Sequence, residues 1–248
     1  MPRASSTDHF HGGGRPATLR LAARAGLDVP GPADRRVLDV GGGLGGPART
    51  LASLSGCHVT VIDLTPSYVE AAQVLTDRVG MSDRVTHQVG DALALPFDDE
   101  SFDVVWTQNS GMNIADKEAL YRGFHRVLRP GGTLVFQEPM AGEVSPPHFP
   151  LMWADDESMS FLAEPAALRA LIASIGFDEV AWEDVTETAT SATAPPAPAH
   201  AVQRLIMGDE RLAAVQTAGR LNLQEKRSST FHAVVQTPKG SQEYELAA

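Results

Sequence analysis

The chain has 248 residues, 43% of them hydrophobic, enough to bury one α/β core with a small lid. With 31 Asp and Glu against 20 Lys and Arg its formal net charge is −11, and no dense basic cluster gives the footprint of a nucleic-acid binder. The single Cys57 excludes an internal disulfide and fits a reducing cytoplasm, and no stretch approaches the ~20 apolar residues of a membrane span.

Met1 to Phe10 shows no apolar core of a signal peptide. Residues 1–16 are polar and glycine-rich, with His9 and His11 inside them. Ala17–Gly26 reads as a short helix, Arg36–Val40 as a buried strand and Pro47–Leu54 as a helix. A second strand follows over His58–Asp63. The helix over Pro66–Val79 has Thr65 as its expected N-cap and Pro66 at its first position. Arg84–Val89 and Phe102–Thr107 read as strands, Asp116–Leu128 as a helix, Arg129–Gly132 as a turn and Thr133–Gln137 as a fifth strand. Residues 139–164 are irregular. Glu164–Ile175 reads as a helix ended by Gly176, and Phe177–Val185 as a strand. Residues 189–199 form an Ala/Thr/Pro-rich loop, 204–223 a helix, Ser229–Gln236 a last strand and 240–248 a frayed tail.

Strands alternating with helices at this spacing predict βαβ units. The expected fold is α/β, a Rossmann-like doubly wound sheet, mostly parallel with an antiparallel last strand and helices on both faces. One domain is expected: an N-terminal cap over 1–30, a cofactor-binding core over 31–138, a lid over 139–164 and C-terminal elements over 165–248.

The run from Val37 to Gly46 delivers an apolar strand, Asp39 and then five glycines in six positions. Such a loop lets a backbone turn sharply and come close to a ligand. It parses two ways. Gly41-x-Gly43-x-x-Gly46 satisfies a dinucleotide fingerprint. Asp39-x-Gly41-x-Gly43-x-Gly45 satisfies a nucleoside-binding loop of methyltransferases. Asp63, at the end of the second strand, suits ribose hydroxyls in either case, or serves only as a helix-start Asp.

Downstream, Gly90-Asp91-Ala92, the stretch from Leu95 to Val105, and Arg129-Pro130-Gly131-Gly132 appear in order. Together with the loop they resemble the class I S-adenosylmethionine-dependent methyltransferases over residues 30–140. That resemblance implies S-adenosyl-L-methionine as cofactor. It implies that Asp63 and Leu64 meet the ribose side, that Asp91 and Ala92 meet the adenine, and that Gly41, Gly43 and Gly45 lie under the methionine. Asp39 is implied to order the loop and help position the methionine amino group, and Gln108 and Asn109 to line the methionine and the transferred methyl. Asp98, Asp99, Glu100 and Asp103 read as a solvated turn and structural residues.

Methyl transfer from a sulfonium is an in-line displacement, so alignment and exclusion of water carry it, and no metal is needed. A base is needed only where the nucleophile must lose a proton. His11 and His148 are the candidate catalytic residues, beside His9; His125 and Cys57 read as packing. No His/Cys cluster has zinc spacing.

The segment after the fifth strand is expected to wall the acceptor pocket, with Met112, Phe149 and Trp153 as candidate contacts. Between Arg129 and Arg169 there is no Lys or Arg. A finer resemblance to sarcosine/dimethylglycine N-methyltransferases rests on Gly42–Arg49, Met112–Asp116 and Trp153, with menaquinone- and tocopherol-type enzymes similar too. It conflicts with that lid, because an amino-acid substrate presents a carboxylate that wants a cation. The expected activity is methyl transfer to N, O or C of a small-molecule acceptor. A nicotinamide oxidoreductase and a cofactor-binding protein or cyclase of the same fold stay as alternatives. No nucleic-acid or membrane partner is expected, and a homodimer stays open.

Overall fold

A computed structural model describes His9, residues 11–191 and residues 207–239. In chain order its elements are α1 (Gly14–Arg24), β1 (Arg36–Val40), α2 (Gly46–Ser55), β2 (His58–Asp63), α3 (Pro66–Arg78), β3 (Val85–Val89) and β4 (Phe102–Gln108). Then come α4 (Lys117–Val127), β5 (Leu128–Ala141), α5 (Pro165–Ile175), β6 (Asp178–Asp184), α6 (Thr186–Ser191), α7 (Asp209–Gln224) and β7 (Ser228–Gln236). The strands form a seven-stranded sheet in the order β3-β2-β1-β4-β5-β7-β6. Neighbours from β3 to β5 pair in parallel, and β7 runs antiparallel to both β5 and β6. The expected sheet is therefore the observed one.

Alternation along each strand sends successive side chains to opposite faces. On one face Val37, Val59, Val61, Trp106, Val135 and Val234 bury against Leu21 and Ala22 of α1 and Ala48 and Leu51 of α2. On the other, Leu38, Val40, Ile62, Val105, Leu134 and Phe136 bury against Leu120, Tyr121, Phe124 and Val127 of α4 and Leu168 and Ile172 of α5. Both faces are covered, which is why β1 and β4 read as nearly continuous apolar runs.

The structure departs from the sequence reading at several places. The expected turn at Arg129–Gly132 falls inside β5 as an irregular stretch between the Phe102–Leu128 and Val104–Thr133 pairs, and β5 runs on through Ala141, where β7 pairs with it from Thr133 to Ala141. The irregular segment expected as a lid is thereby shortened to 142–164, whose only regular element is a single helical turn at Glu157–Met159. Helix α1 starts at Gly14, after Gly13 with a left-handed φ of 76°. Thr65 occupies the N-cap position of α3 without a side-chain bond; its own N–H donates to Asp63 Oδ1 at 2.9 Å. The expected loop over 189–199 overlaps α6, and from 192 onward it lies outside the described residues, as do the first residues of the expected helix over 204–223 and the tail over 240–248.

Candidate functional site

The glycine loop leaves β1 at the carboxyl edge of the sheet. A Cβ on Gly41 would sit 2.4 Å from the Ser110 Cβ, so the end of β4 closes down on it. Gly43 has a φ of 53°, and a Cβ there would meet nothing within 4 Å. Its glycine is needed for the backbone conformation, and the space above it is open. The loop is tied across the sheet: Gly41 N–H donates to Ile62 O at 2.8 Å, and Gly43 N–H donates to Asp63 Oδ2 at 2.9 Å.

Asp63 thus accepts one backbone N–H on each oxygen, from Gly43 and Thr65. A carboxylate has about four lone-pair positions, so two remain for a vicinal diol. The helix-start role and the loop-facing role occur together in the same side chain. Leu64 beside it is 68% exposed. The Gly90 N–H donates to Asp63 O at 3.0 Å and links the ends of β2 and β3. Asp91 is exposed and accepts from Leu93 N–H at 2.9 Å, while Ala92 packs against the core.

Asp39 is 1% exposed and lies beneath Gly42, where a Cβ would approach its Oδ2 to 2.9 Å. It does not order the loop through a hydrogen bond: its Oδ2 is buried without a partner, and the ordering bond comes from Asp63. Burial, and then the negative charge of Asp63, raise its pKa from 3.8 to about 7.

At the end of β4, Gln108 is 7% exposed. Its Oε1 accepts from Trp106 Nε1–H at 3.2 Å and from Thr18 Oγ1–H at 3.1 Å, while its Nε2 is buried with no partner. Asn109 has a φ of 56°. Its Oδ1 accepts from Gln137 Nε2 at 2.9 Å, and the same Nε2 donates to Gly12 O at 2.9 Å. His232 on β7 pairs with the Gln137 Oε1 at 2.7 Å. The segment around His11 and Gly12 is therefore strapped over the ends of β4 and β5.

The two candidate histidines separate. His11 Nε2 lies 3.0 Å from Thr18 Oγ1 and its Nδ1 3.1 Å from Gly12 O. Burial pulls its pKa down to about 4 against the opposing Gly12 carbonyl, so the ring is neutral at pH 7. His9, whose ring is 5.8 Å from that of His11, also reaches Thr50 of α2 at 3.2 Å. His148 is joined instead to α7 and its C-terminal flank. Its N–H donates to Asn222 Oδ1 at 2.6 Å, and its Nε2 lies 2.9 Å from Glu225 Oε2.

Glu138, at 3% exposure, accepts from the N–H groups of Ser110, Gly111 and Met112 at 3.2, 2.9 and 3.3 Å. It caps the helical turn Gly111–Asn113 after β4. Burial raises its pKa to about 7, with the three N–H groups and Lys117 opposing. That turn holds the lid. Met112 O accepts from Phe161 N–H at 2.8 Å, and Asn113 Nδ2 donates to Met159 O at 3.0 Å and Trp153 O at 3.3 Å. Trp153 Nε1–H donates to Ser160 Oγ at 3.1 Å. Met112 and Trp153 are thus brought together. Phe149 lines a separate groove of about 420 Å³ with His148 and α7. Of the cations that reach the 142–164 segment, Arg211 pairs with Asp155 and Lys226 with Glu143, while Arg227 donates to Pro146 O at 2.7 Å and pairs with Glu225 outside the segment.

Thr18, Gln137, Glu138, Asn113 and His232 are site residues that sequence reasoning missed. Gln137 and Glu138 had a positional signal, the end of a strand beside the cofactor strand. Asn113 lay inside the Met112–Asp116 stretch that carried the finer resemblance, whereas Thr18 and His232 had no signal, since only the tertiary fold brings them there. No group of three or more His, Cys, Asp or Glu among the described residues could hold a metal.

Comparison with known proteins supplies the context. Residues 38–136 match the sequence family described as "Methyltransferase domain". A glycine/sarcosine/dimethylglycine N-methyltransferase of Actinopolyspora halophila is 30% identical over 171 residues, 69% of this chain and 30% of that protein. A sarcosine/dimethylglycine N-methyltransferase of Halorhodospira halochloris is 34% identical over 154 residues, 62% of this chain and 55% of that one. The matches thus span about a third to a half of these relatives' lengths. Among solved structures, the cyclase SpnF superposes with a TM-score of 0.69 at 25% identity, over 91% of this chain and 81% of that one.

Proposed function

We propose, from the premise that the chain belongs through residues 38–136 to the class I S-adenosylmethionine-dependent methyltransferases, that it moves a methyl group onto N, O or C of a small molecule. The observation that carries the reading is the bond from Gly43 N–H to Asp63 Oδ2, which joins the glycine loop to the acidic end of β2 under open space.

The residues fit the cofactor. Asp63, with Leu64 beside it, keeps two free acceptor positions for the ribose hydroxyls, and Asp91 and Ala92 stand past the end of β3 for the adenine. Gly41, Gly43 and Gly45 leave the loop able to approach the methionine. The orphaned carboxylate of Asp39 suits an ammonium, as the methionine amino group provides. Gln108 and Asn109 line the far end. When bound, S-adenosyl-L-methionine supplies an electrophilic methyl on a positive sulfur.

The chain itself positions and desolvates. Glu138 fixes the Gly111–Asn113 turn, that turn holds the backbone at Trp153 and Phe161, and Met112 and Trp153 are the residues we assign to the acceptor. His11, half-buried, neutral at pH 7 and linked through Thr18 to Gln108 at the end of β4, is the histidine we assign as proton acceptor there, whereas His148 is tied to Asn222 and Glu225. The absence of any Lys or Arg between Arg129 and Arg169 supports a neutral aromatic acceptor or a cationic amine over a free amino-acid carboxylate. The buried, unpaired Cys57 agrees with a cytoplasmic location.

The similarity to SpnF favours a second reading, in which a bound cofactor supports a cyclisation and is not consumed. Incubation with methyl-labelled S-adenosylmethionine and a panel of amines, phenols and quinols separates the two. Label in a product with release of S-adenosylhomocysteine supports transfer. Cofactor retained intact beside a cyclised substrate supports the alternative.

A further inference from the structure

Four polar contacts run in line from β4 to the strap. Trp106 Nε1 lies 3.2 Å from Gln108 Oε1, and Thr18 Oγ1 lies 3.1 Å from the same Oε1. His11 Nε2 lies 3.0 Å from Thr18 Oγ1, and His11 Nδ1 3.1 Å from Gly12 O. Each contact needs one proton. The two ends of the line are fixed, because an indole nitrogen only donates and a carbonyl oxygen only accepts. Turning the Gln108 amide over would set its NH₂ against the Trp106 N–H, so Oε1 is the acceptor that faces both Trp106 and Thr18.

With His11 neutral, the four contacts share three protons, one each from Trp106, Thr18 and the imidazole. One contact must then set two acceptors against each other. If Thr18 donates to Gln108 and the ring donates to Thr18, Nδ1 turns a lone pair to Gly12 O. If the ring donates to Gly12 O and Thr18 donates to the ring, Thr18 Oγ1 and Gln108 Oε1 oppose each other. An imidazolium donates from both nitrogens and satisfies all four contacts. At pH 7, where burial keeps the ring neutral, the line is therefore one proton short.

We infer that the methyl acceptor is a neutral hydroxyl, a phenol or quinol, whose proton His11 receives, with Thr18 and Gln108 as the positioning residues that leave a place for it. The inference rests on the proposed methyl transfer. The oxygen–methyl bond forms as the sulfur–methyl bond breaks, and the hydroxyl proton passes to the imidazole. The positive charge lost at sulfur reappears on the ring, so the site carries one positive charge before and after. An amine can shed its proton to water before it binds and has no use for such a line. The open end of the line is held in place: Gln137 Nε2 donates to both Gly12 O and Asn109 Oδ1, which sets Gly12 beside the end of β4. The titratable side chains that act on the ring are His9, 5.8 Å away between ring centres, and His232; a positive charge on either opposes one on His11.

Two measurements test it, with melting curves to confirm that each variant folds. The first is nuclear magnetic resonance of protein labelled with nitrogen-15 histidine, the His11 signals being assigned by their loss in His11→Gln. As the pH is lowered, Thr18→Val delays charging of the ring by about one to two pH units, because it removes an acceptor of the imidazolium, and Thr18→Ser restores it. An unchanged titration in Thr18→Val overturns the inference. The second is transfer of labelled methyl to a phenol and to a quinol. His11→Gln lowers kcat about 100-fold or more, while S-adenosylhomocysteine binds as it does to wild type by calorimetry. A wild-type kcat in His11→Gln, or transfer by wild type to amines alone, overturns the inference and leaves methyl transfer standing. A His11→Gln variant that loses affinity for S-adenosylhomocysteine as steeply as it loses rate makes His11 a binding residue and overturns it as well. Intact cofactor recovered beside a cyclised substrate overturns both readings.

Discussion

Replacing Asp39 by Asn should stabilise the protein and weaken its cofactor binding in the same stroke. The side chain is 1% exposed, its Oδ2 has no partner, and its pKa is raised from 3.8 to about 7. A carboxyl with a raised folded-state pKa holds its proton more tightly in the native state than in the unfolded one. Stability therefore falls as pH rises from about 4 to about 7, and the full cost is present above pH 7. That span corresponds to at most about 4 kcal/mol, and the buried amide of Asn returns about 1–2 of it as its own desolvation. The net gain at pH 8 is on the order of 1–3 kcal/mol, or a Tm higher by roughly 3–10 °C for a chain of this length. At pH 4, where Asp39 is already protonated, the gain should vanish. S-adenosylhomocysteine affinity should fall about 10- to 100-fold at pH 8, because the charge offered to the amino group is gone. Melting curves at both pH values and calorimetry provide the assay. A Tm that drops equally at pH 4 and pH 8, or an unchanged affinity, refutes the reasoning.

Asp63→Ala removes the acceptor for the Gly43 and Thr65 N–H groups as well as the ribose site, so S-adenosylhomocysteine should bind about 2–3 kcal/mol more weakly by calorimetry. Glu138→Ala leaves three N–H groups without their acceptor in a buried setting. It should lower stability in urea titrations by about 3–5 kcal/mol, with Glu138→Gln recovering part. Trp153→Ala should raise the acceptor KM and leave the cofactor Kd unchanged; if both are unchanged, Trp153 serves only packing.

The strand–glycine-loop–helix core was legible because it is local: apolar runs of strand length, a run of glycines, and an acidic residue at each strand end. The extension of β5 was hidden because Pro139 looks like an interruption, whereas the antiparallel β7 carries the pairing past it to Ala141. Asp63 showed its position but not its double duty. The strap was illegible: Thr18 meets Gln108 across 90 residues of sequence, and Gln137 meets Gly12 and His232 across 125 and 95, contacts that only the folded chain makes. His148 looked like a lid histidine facing the substrate, and only the Asn222 clamp reveals that it turns to α7.

Calorimetric titration of the intact chain with S-adenosylhomocysteine, run beside NAD and NADP, tests the central claim most directly. Saturable one-to-one binding of S-adenosylhomocysteine with no heat from either dinucleotide is the predicted result. Binding of a dinucleotide with none of S-adenosylhomocysteine would contradict it.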